Sequence, residues 1–184
     1  TPEEALNICD QLAEAGCKEI NLIGGEVFLR PDWKTIINKL TEHNITVSII
    51  TNAIALTEDK IDFFKLVWLK TIGISVDGGM SNTHDRIRQV PGLFDSIFDK
   101  LQYIHKAGIN SVAITTLSKI NILELSLLRQ ILIDSSFKAW QIQLAAPIGR
   151  MDNELFLDSF EYYIAGLFFA QSRIIVPKEE LAIF

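Results

Sequence analysis

The sequence has few of the residues that bind metals or form disulfides, with two cysteines and three histidines among 184 residues. If Cys9 and Cys17 share a helix, their separation spans roughly 12 Å, whereas a disulfide needs Cα atoms within about 7 Å. We therefore expect two free thiols in a reducing compartment. The histidines are far apart in the sequence and show no ligand spacing, so no metal site is predicted and each is expected at a surface or interface.

Positive charge and long apolar runs are also scarce. Lysine and arginine total 17 against 23 acidic residues, which gives a net charge of −6 and argues against nucleic acid as a partner. No apolar run approaches the ~20 residues of a membrane span, and no signal-like segment opens the chain. These absences predict a cytoplasmic protein without a membrane partner. The hydrophobic content of 48% suits one sizeable core, so residues 1–184 are expected to form a single domain.

What the sequence does contain is a regular alternation of helix and strand patterns. Thr1, Pro2 and Glu4 form a helix start with a capping box, and Gly16 ends that helix. Alternation of this kind predicts right-handed crossovers and a parallel sheet. The predicted strands are Glu19–Ile23, Thr46–Ile50, Thr71–Val76, Ser111–Leu117 and Trp140–Leu144. The predicted helices run from Asp32 to Asn44, from Thr57 with Trp68 on the buried face, over Leu93–Ala107, from Asn121 with Glu124 in a capping box, and over Ser159–Gln171, before a last apolar run, Ile174–Val176.

The strand faces favour a sheet curled toward a barrel. Each predicted strand has an apolar face and a small or polar opposite face, which in the fourth strand holds Ser111 and Thr115. A doubly wound sheet is covered on both sides and its strands are apolar throughout, whereas a barrel leaves one side for a polar lumen. An open sheet with one solvated face is the alternative. In a barrel the site lies at the carboxyl ends of the strands.

Two motifs occur at these strand ends. Gly24-Gly25-Glu26 allows a tight turn close to a ligand and adds a carboxylate, although the tripeptide alone also fits a plain turn. Ser75-Val76-Asp77-Gly78 is followed, in what is predicted to be a loop, by the segment His84 to Arg88. A hydroxyl and an arginine there could hold a carboxylate, or form only a polar turn and a surface charge cluster.

Together these motifs resemble the radical S-adenosylmethionine (radical SAM) superfamily over nearly the whole chain. Gly24-Gly25-Glu26 matches the family's GGE motif, and Thr51-Asn52-Ala53 is similar to its T-N-G motif with alanine for glycine. Ser75 to Gly78 with His84-Asp85-x-x-Arg88 resembles the S-x-D-G…H-D-x-x-R pattern of peptide-modifying and cofactor-maturing members, often of SPASM type. The residues Leu144 to Arg150 resemble the exit of the sixth barrel strand.

The resemblance implies a partial (β/α)₆ TIM-like barrel that binds S-adenosylmethionine beside a [4Fe–4S] cluster. On that basis Glu26 would receive the methionyl amine, Ser75 and Arg88 the carboxylate, and the backbone beside Leu144 and Ala145 would flank the adenine. The implied cofactor-binding set is Gly24, Gly25, Glu26, Asn52, Ser75, Asp77, Arg88, Leu144 and Ala145. The family cleaves the cosubstrate reductively to a radical that abstracts hydrogen from a peptide or small molecule, using an electron donor protein.

The departure from the family lies before Thr1, where the resemblance places a first strand and a C-x-x-x-C-x-x-C loop. Cys9 and Cys17 have the wrong number, spacing and position to replace that loop. We therefore expect this chain alone to bind no cluster and to be inactive. We also expect it either to self-associate through the edge of the Glu19–Ile23 strand or to have that edge covered by another segment. The alternatives are a degenerate barrel that binds a small molecule or protein, and a lyase or aldolase barrel, which the lack of a lumen lysine disfavours.

Overall fold

The computed structural model describes residues 1–146 and 153–184, and within them helices alternate with strands. The helices are α1 (Pro2–Glu14), α2 (Trp33–Glu42), α3 (Glu58–Leu66), α4 (Ser81–Arg88), α5 (Leu93–Lys106), α6 (Leu125–Asp134) and α7 (Ser159–Ile175). The strands are β1 (Glu19–Leu22), β2 (Thr46–Thr51), β3 (Thr71–Ser75), β4 (Asn110–Leu117), β5 (Ala139–Leu144) and β6 (Ala182–Ile183). Short 3-10 turns cover Val27–Leu29, Ile122–Glu124 and Asn153–Leu155. Among these helices, none has the length and apolarity that crossing a membrane requires.

The strands form a six-stranded sheet whose order follows the chain from β1 to β6. The pairings β1–β2, β2–β3, β4–β5 and β5–β6 are all parallel. Strands β1 and β6 are the two ends of this order, so the sheet is open. The parallel α/β fold predicted from the alternation is therefore confirmed.

The chain divides into two compact units, of which the first comprises Thr1–Ile74 and Lys100–Ser111. Its core packs the apolar face of β2 and β3 against α2 and α3, with Ile49, Ile72 and Ile37 fully buried. Burial of each such side chain contributes roughly 1.5–3 kcal/mol. An aromatic cluster covers the end of this core, where Trp33 meets Phe63 edge-on at 5.2 Å between ring centroids.

The second unit comprises Ser75–Asp99 and Val112–Phe184. Its core gathers Val76, Phe137 and Trp140, which are fully buried, with the inner faces of α6 and α7. A buried hydroxyl also lies inside it, since Thr115 Oγ1 donates to the carbonyl of Val76 at 2.6 Å and accepts from Trp140 Nε1 at 2.9 Å. The prediction of a single domain over residues 1–184 is not tested by this division and stays a prediction.

Several local predictions were wrong. The segment from Ser81 to Arg88 is a helix, α4, and not a loop. Helix α3 ends at Leu66, so Trp68 lies outside it in the left-handed region and is 89% exposed. Helix α7 ends at Ile175 and not at Gln171, so it extends into the apolar run Ile174–Val176, and the final strand is β6.

Two further corrections concern polar residues. Ser111 and Thr115 were expected to face a lumen with room for a ligand, but both are fully buried while Val112 beside them is half-buried. His84 was expected at a surface or interface and is also fully buried. Hydrogen bonds inside the protein use the Thr115 hydroxyl and His84 Nδ1, so burial does not leave these two atoms unsatisfied.

Candidate functional site

The diglycine motif follows β1 and lines a cleft of about 200 Å³ in the first unit. Gly24 has a φ of +150°, a conformation that residues with a Cβ rarely adopt. Space for a Cβ is open at Gly24 and Gly25, so the glycines serve the turn and not a tight packing contact. Glu26, Arg30 and Trp33 line the same cleft. The cleft therefore combines bare backbone with a carboxylate.

The carboxylate of Glu26 is held in place from the end of β2. Thr51 Oγ1 donates to Glu26 Oε1 at 2.9 Å, and the backbone N–H of Asn52 donates to Oε2 at 2.9 Å. Phe28 N–H adds a longer bond to Oε1 at 3.4 Å. A carboxylate has about four acceptor positions, so one remains for another donor. Glu26 is half-buried, and its geometry suits a cationic ligand group such as an ammonium.

The turn after β2 also uses the side chain of Asn52. Its Oδ1 accepts from the backbone N–H of Ile54 at 2.9 Å, and Thr51 Oγ1 accepts from the N–H of Ala53 at 3.0 Å. Ala53 has a φ of +63°, which explains why a T-N-G motif would carry glycine there. Asn52 thus acts in this structure through its backbone N–H toward Glu26, while its side chain closes the turn.

In the second unit, Asp77 and Arg88 form an ion pair. Arg88 Nη2 lies 2.5 Å from Asp77 Oδ2, and the carboxylate is 1% exposed. The other oxygen, Oδ1, accepts from the backbone N–H of Thr116 at 2.8 Å. Both oxygens of Asp77 are therefore engaged by protein groups. Arg88 Nε is buried and has no partner within the described residues, which leaves a donor for a ligand.

His84 lies beside this pair and accepts a hydrogen bond at Nδ1 from the N–H of Asp77 at 3.0 Å. Burial lowers the pKa of His84 below its ordinary value, and the nearby Asp77 charge only partly opposes this effect. The ring is therefore neutral at pH 7 with its proton on Nε2. That Nε2 atom has no partner in the described part of the chain.

Sequence reasoning missed Glu124 as part of this cluster. It was predicted to complete a capping box for its own helix, but its carboxylate instead accepts from Gly79 N–H at 2.8 Å, from Met80 N–H at 3.1 Å and from Thr83 Oγ1 at 2.5 Å. A Cβ at Gly79 would lie 3.0 Å from the backbone nitrogen of Leu128. Gly79 thus permits a close approach to the backbone of Leu128, and no local sequence pattern predicts this contact.

The remaining predicted residues lie apart from these two clusters. Ser75 is half-buried at the end of β3. Leu144 is 51% exposed at the end of β5, and Ala145 is buried and donates from its N–H to the carbonyl of Leu117 at 3.0 Å. The part of the predicted strand exit from Pro147 to Arg150 lies outside the described residues. Glu26 and Asn52 belong to the first unit, whereas Ser75, Asp77, Arg88, Leu144 and Ala145 belong to the second.

In residues 1–146 and 153–184 no three His, Cys, Asp or Glu side chains converge, and the absence of a metal site stays a prediction. Cys9 is buried, which raises its pKa, and Cys17 Sγ donates to the carbonyl of Glu19 at 3.3 Å. The first unit also has a larger cleft of about 660 Å³, lined by Trp68, Leu69 and Ile109. That cleft lies at the amino ends of β3 and β4, whereas the predicted site lies at the carboxyl ends of the strands, so it is not the candidate site.

Comparison with known families gives a match of residues 1–129 to the model of the radical SAM superfamily. Among curated proteins, the AdoMet-dependent heme synthase of Methanosarcina barkeri is 28% identical over 152 residues, which are 83% of this chain and 44% of that protein. The mycofactocin maturase MftC of Mycobacterium tuberculosis is 29% identical over 109 residues, 59% of this chain and 28% of its own length. The chain thus spans less than half the length of these relatives.

Comparison with solved structures gives Streptococcus suis SuiB. The SuiB structure bound to S-adenosylmethionine has a TM-score of 0.83 at 14% identity, covering 100% of this chain and 43% of SuiB. The structure bound to the precursor peptide SuiA has a TM-score of 0.83 at 15% identity, covering 99% of this chain and 41% of SuiB. At this identity the likeness concerns the fold alone, and it confirms the predicted partial-barrel class.

Proposed function

Because the chain belongs to the radical SAM superfamily, we propose that it is the body of an enzyme that cleaves S-adenosylmethionine reductively and abstracts hydrogen from a substrate. Enzymes of this superfamily use S-adenosylmethionine together with a [4Fe–4S] cluster. The cofactor supplies the one-electron chemistry, while the protein binds, orients and shields the reactants. The residues of this chain are therefore proposed to bind and orient the cosubstrate.

The observation that carries the proposal is the fixed carboxylate of Glu26. Thr51 and the backbone of Asn52 hold its two oxygens, and the adjoining Gly24 and Gly25 leave their side of the cleft open. A methionyl ammonium group would donate to this carboxylate and neutralise its charge. Glu26 is accordingly proposed as the amine-binding residue.

For the carboxylate of the cosubstrate we propose Arg88, with Ser75 as a second donor. Asp77 already engages Nη2 of Arg88, and the buried Nε remains as a donor without a described partner. Asp77, whose own oxygens are both occupied, would contribute by fixing Arg88. The backbone beside Leu144 and Ala145 is proposed to flank the adenine.

The described residues of this chain do not fit a [4Fe–4S] cluster. A site-differentiated [4Fe–4S] cluster needs three thiolates close together. Cys9 and Cys17 are two thiols, one of them buried, and no larger group of ligating side chains converges in residues 1–146 and 153–184. We therefore propose that this chain alone is inactive and that other residues of the complete protein hold the cluster.

A peptide is the favoured substrate, with a small molecule as the broader class. Two similar proteins support this assignment: MftC is a maturase, and SuiB has been solved bound to the precursor peptide SuiA. An electron donor protein is a further proposed partner. A cytoplasmic location and the absence of a nucleic-acid partner remain proposals that rest on the composition.

The test is anaerobic reconstitution of the complete protein with iron and sulfide, followed by an assay for 5′-deoxyadenosine. We expect release of 5′-deoxyadenosine that depends on both reductant and S-adenosylmethionine. A reconstituted protein that forms none with any reductant would contradict the enzyme proposal.

The second candidate is a degenerate barrel that binds a small molecule or a protein, and the two-cysteine content favours it. The reading frame upstream of Thr1 separates the candidates. A cysteine triplet there supports the enzyme, and an intact gene without one supports the binding module.

A further inference from the structure

Glu124 lies at the end of the 3-10 turn before α6, yet its hydrogen bonds go to the start of α4. Its side chain is 9% exposed and accepts from three donors, two backbone N–H groups and the hydroxyl of Thr83. A buried carboxylate is stable only when its oxygens are satisfied in this way. The hydrogen bond from Gly79 to Glu124 thus joins residues 45 positions apart in the sequence.

Helix α4 needs this contact because its own sequence provides little support. It has eight residues, no acidic residue in the first turn, and an N-cap residue, Met80, with no side-chain cap. A helix of this length is marginal without tertiary contacts, and its first N–H groups have no partners inside the helix. The carboxylate of Glu124 accepts from the N–H groups of Gly79 and Met80 at the start of the helix, and its charge also interacts favourably with the helix dipole.

Arg88 is the last residue of the same helix. Its guanidinium is tied to Asp77, which stands two residues before Gly79, and the N–H of Asp77 is tied to His84 on the helix. The short segment from Asp77 to Met80 is therefore bound at one end to Arg88 and at the other to Glu124. Release of Glu124 would loosen this segment and shift the guanidinium.

We infer that Glu124 is a positioning residue that holds Arg88 in the orientation needed to bind the carboxylate of S-adenosylmethionine. The inference rests on the proposed function. Glu124 is 9% exposed and its oxygens accept from three protein donors, so its proposed role is to position Arg88 and not to contact the cosubstrate. Its effect should therefore depend on whether the ligand carries a carboxylate.

The experiment compares S-adenosylmethionine with decarboxylated S-adenosylmethionine, which lacks only that group, by anaerobic titration of the reconstituted complete protein. The quantity measured is the ratio of the two dissociation constants. In the wild type we expect a preference of about 10- to 100-fold for the carboxylate-bearing ligand, as for one charge-assisted hydrogen-bonded pair. Glu124→Ala should reduce this ratio about tenfold, because the guanidinium is no longer fixed.

Glu124→Gln keeps an oxygen for the backbone donors, and the Thr83 hydroxyl can turn to accept from the new amide. It should retain the ratio to within about threefold and so act as the rescue variant. The matched control is Glu161→Ala, which removes a carboxylate that caps α7 in the same unit. It should cost stability and leave the ratio unchanged.

If Glu124→Ala folds and keeps the wild-type ratio, the inference is overturned and the proposed function is not affected. The same holds if the ratio falls equally in Glu161→Ala. If Glu124→Ala does not fold, Thr83→Val removes one of the three donors and should lower the ratio about two- to threefold. An unchanged ratio there would also overturn it. A wild-type protein that binds neither ligand would overturn the inference together with the proposed function.

Discussion

Lys100 Nζ donates a hydrogen bond to the backbone carbonyl of Ala53 at 2.9 Å. Burial is the main cause that lowers the pKa of Lys100, with a smaller effect from the nearby Lys60 charge. The contact links α5 to the turn that holds Glu26. Because Ala53 is fully buried with a φ of +63°, this turn combines a strained backbone with close packing.

The turn should therefore tolerate loss of the Ala53 methyl group but not a larger side chain at this position. Ala53→Val places a β-branched residue in the left-handed region and adds volume to a filled site, so it should lower the free energy of unfolding by about 2 kcal/mol or more. Ala53→Gly relieves backbone strain and loses one buried methyl group, so it should change stability by less than about 1 kcal/mol. Urea denaturation of the three proteins measures the difference. Equal stability of Val and Gly variants would contradict the strained turn.

Glu26→Gln should weaken binding of S-adenosylmethionine with little change of fold. The amide oxygen can still accept from the N–H of Asn52, and the amide nitrogen can donate to Thr51 Oγ1, whereas the negative charge is gone. Loss of one charge-assisted bond predicts about a 10- to 100-fold rise in the dissociation constant. Calorimetric titration of the complete protein measures it, with the exposed Glu42→Gln on α2 as control. An unchanged constant would remove Glu26 from the site.

His84 should make the protein less stable as the pH falls below about 6.5. Its pKa is lowered in the folded state, so the unfolded chain binds the proton first and gains stability as the pH decreases from the ordinary value toward the folded one. Denaturant unfolding between pH 7.5 and 5 measures the slope. His84→Gln should flatten it, whereas His43→Gln, which lies outside the cluster, serves as the comparison. A slope that His84→Gln leaves intact would show that this imidazole is not the cause.

The free edge of β1 should mediate self-association of this chain. Within the described residues β1 has β2 as its one neighbour, and unpaired strand edges recruit other strands. Light scattering with size-exclusion chromatography should show a concentration-dependent oligomer, and Asn21→Lys on this exposed edge should shift it toward the monomer. Asn110→Lys, at an exposed position on the interior strand β4, is the matched control. A monomer at every concentration would rule out the edge contact.

The elements that could be predicted from the sequence are those with local signals. The capping box of Thr1 and Glu4 marks the start of α1, and Asn44, with a φ of +57°, lies just past the end of α2. Apolar alternation likewise gave the bounds of β2 to within one residue. In these places the local preference and the tertiary structure agree.

The wrong predictions concern elements whose structure depends on contacts between residues far apart in the sequence. Helix α4 is polar along its length, so no apolar period indicates it, and its ties come from Glu124 and from Asp85, which accepts from the N–H of Phe94. Trp68 follows the helical spacing of its predecessors, but α3 ends first. For the candidate site, the motifs point to Glu26 and Arg88, whose binding roles stay predictions, but nothing near Glu124 in the sequence indicates which helix it caps.

The tie between Glu124 and α4 also has a consequence for the order in which the chain acquires structure. Residues 81–88 lack the means to form a lasting helix until the segment around Glu124 has been synthesised and has left the ribosome. We therefore expect this stretch to stay open during translation until β4 and the residues up to Glu124 have been synthesised. The helix that bears Arg88 is thus expected to form after β4, although it precedes that strand in the sequence.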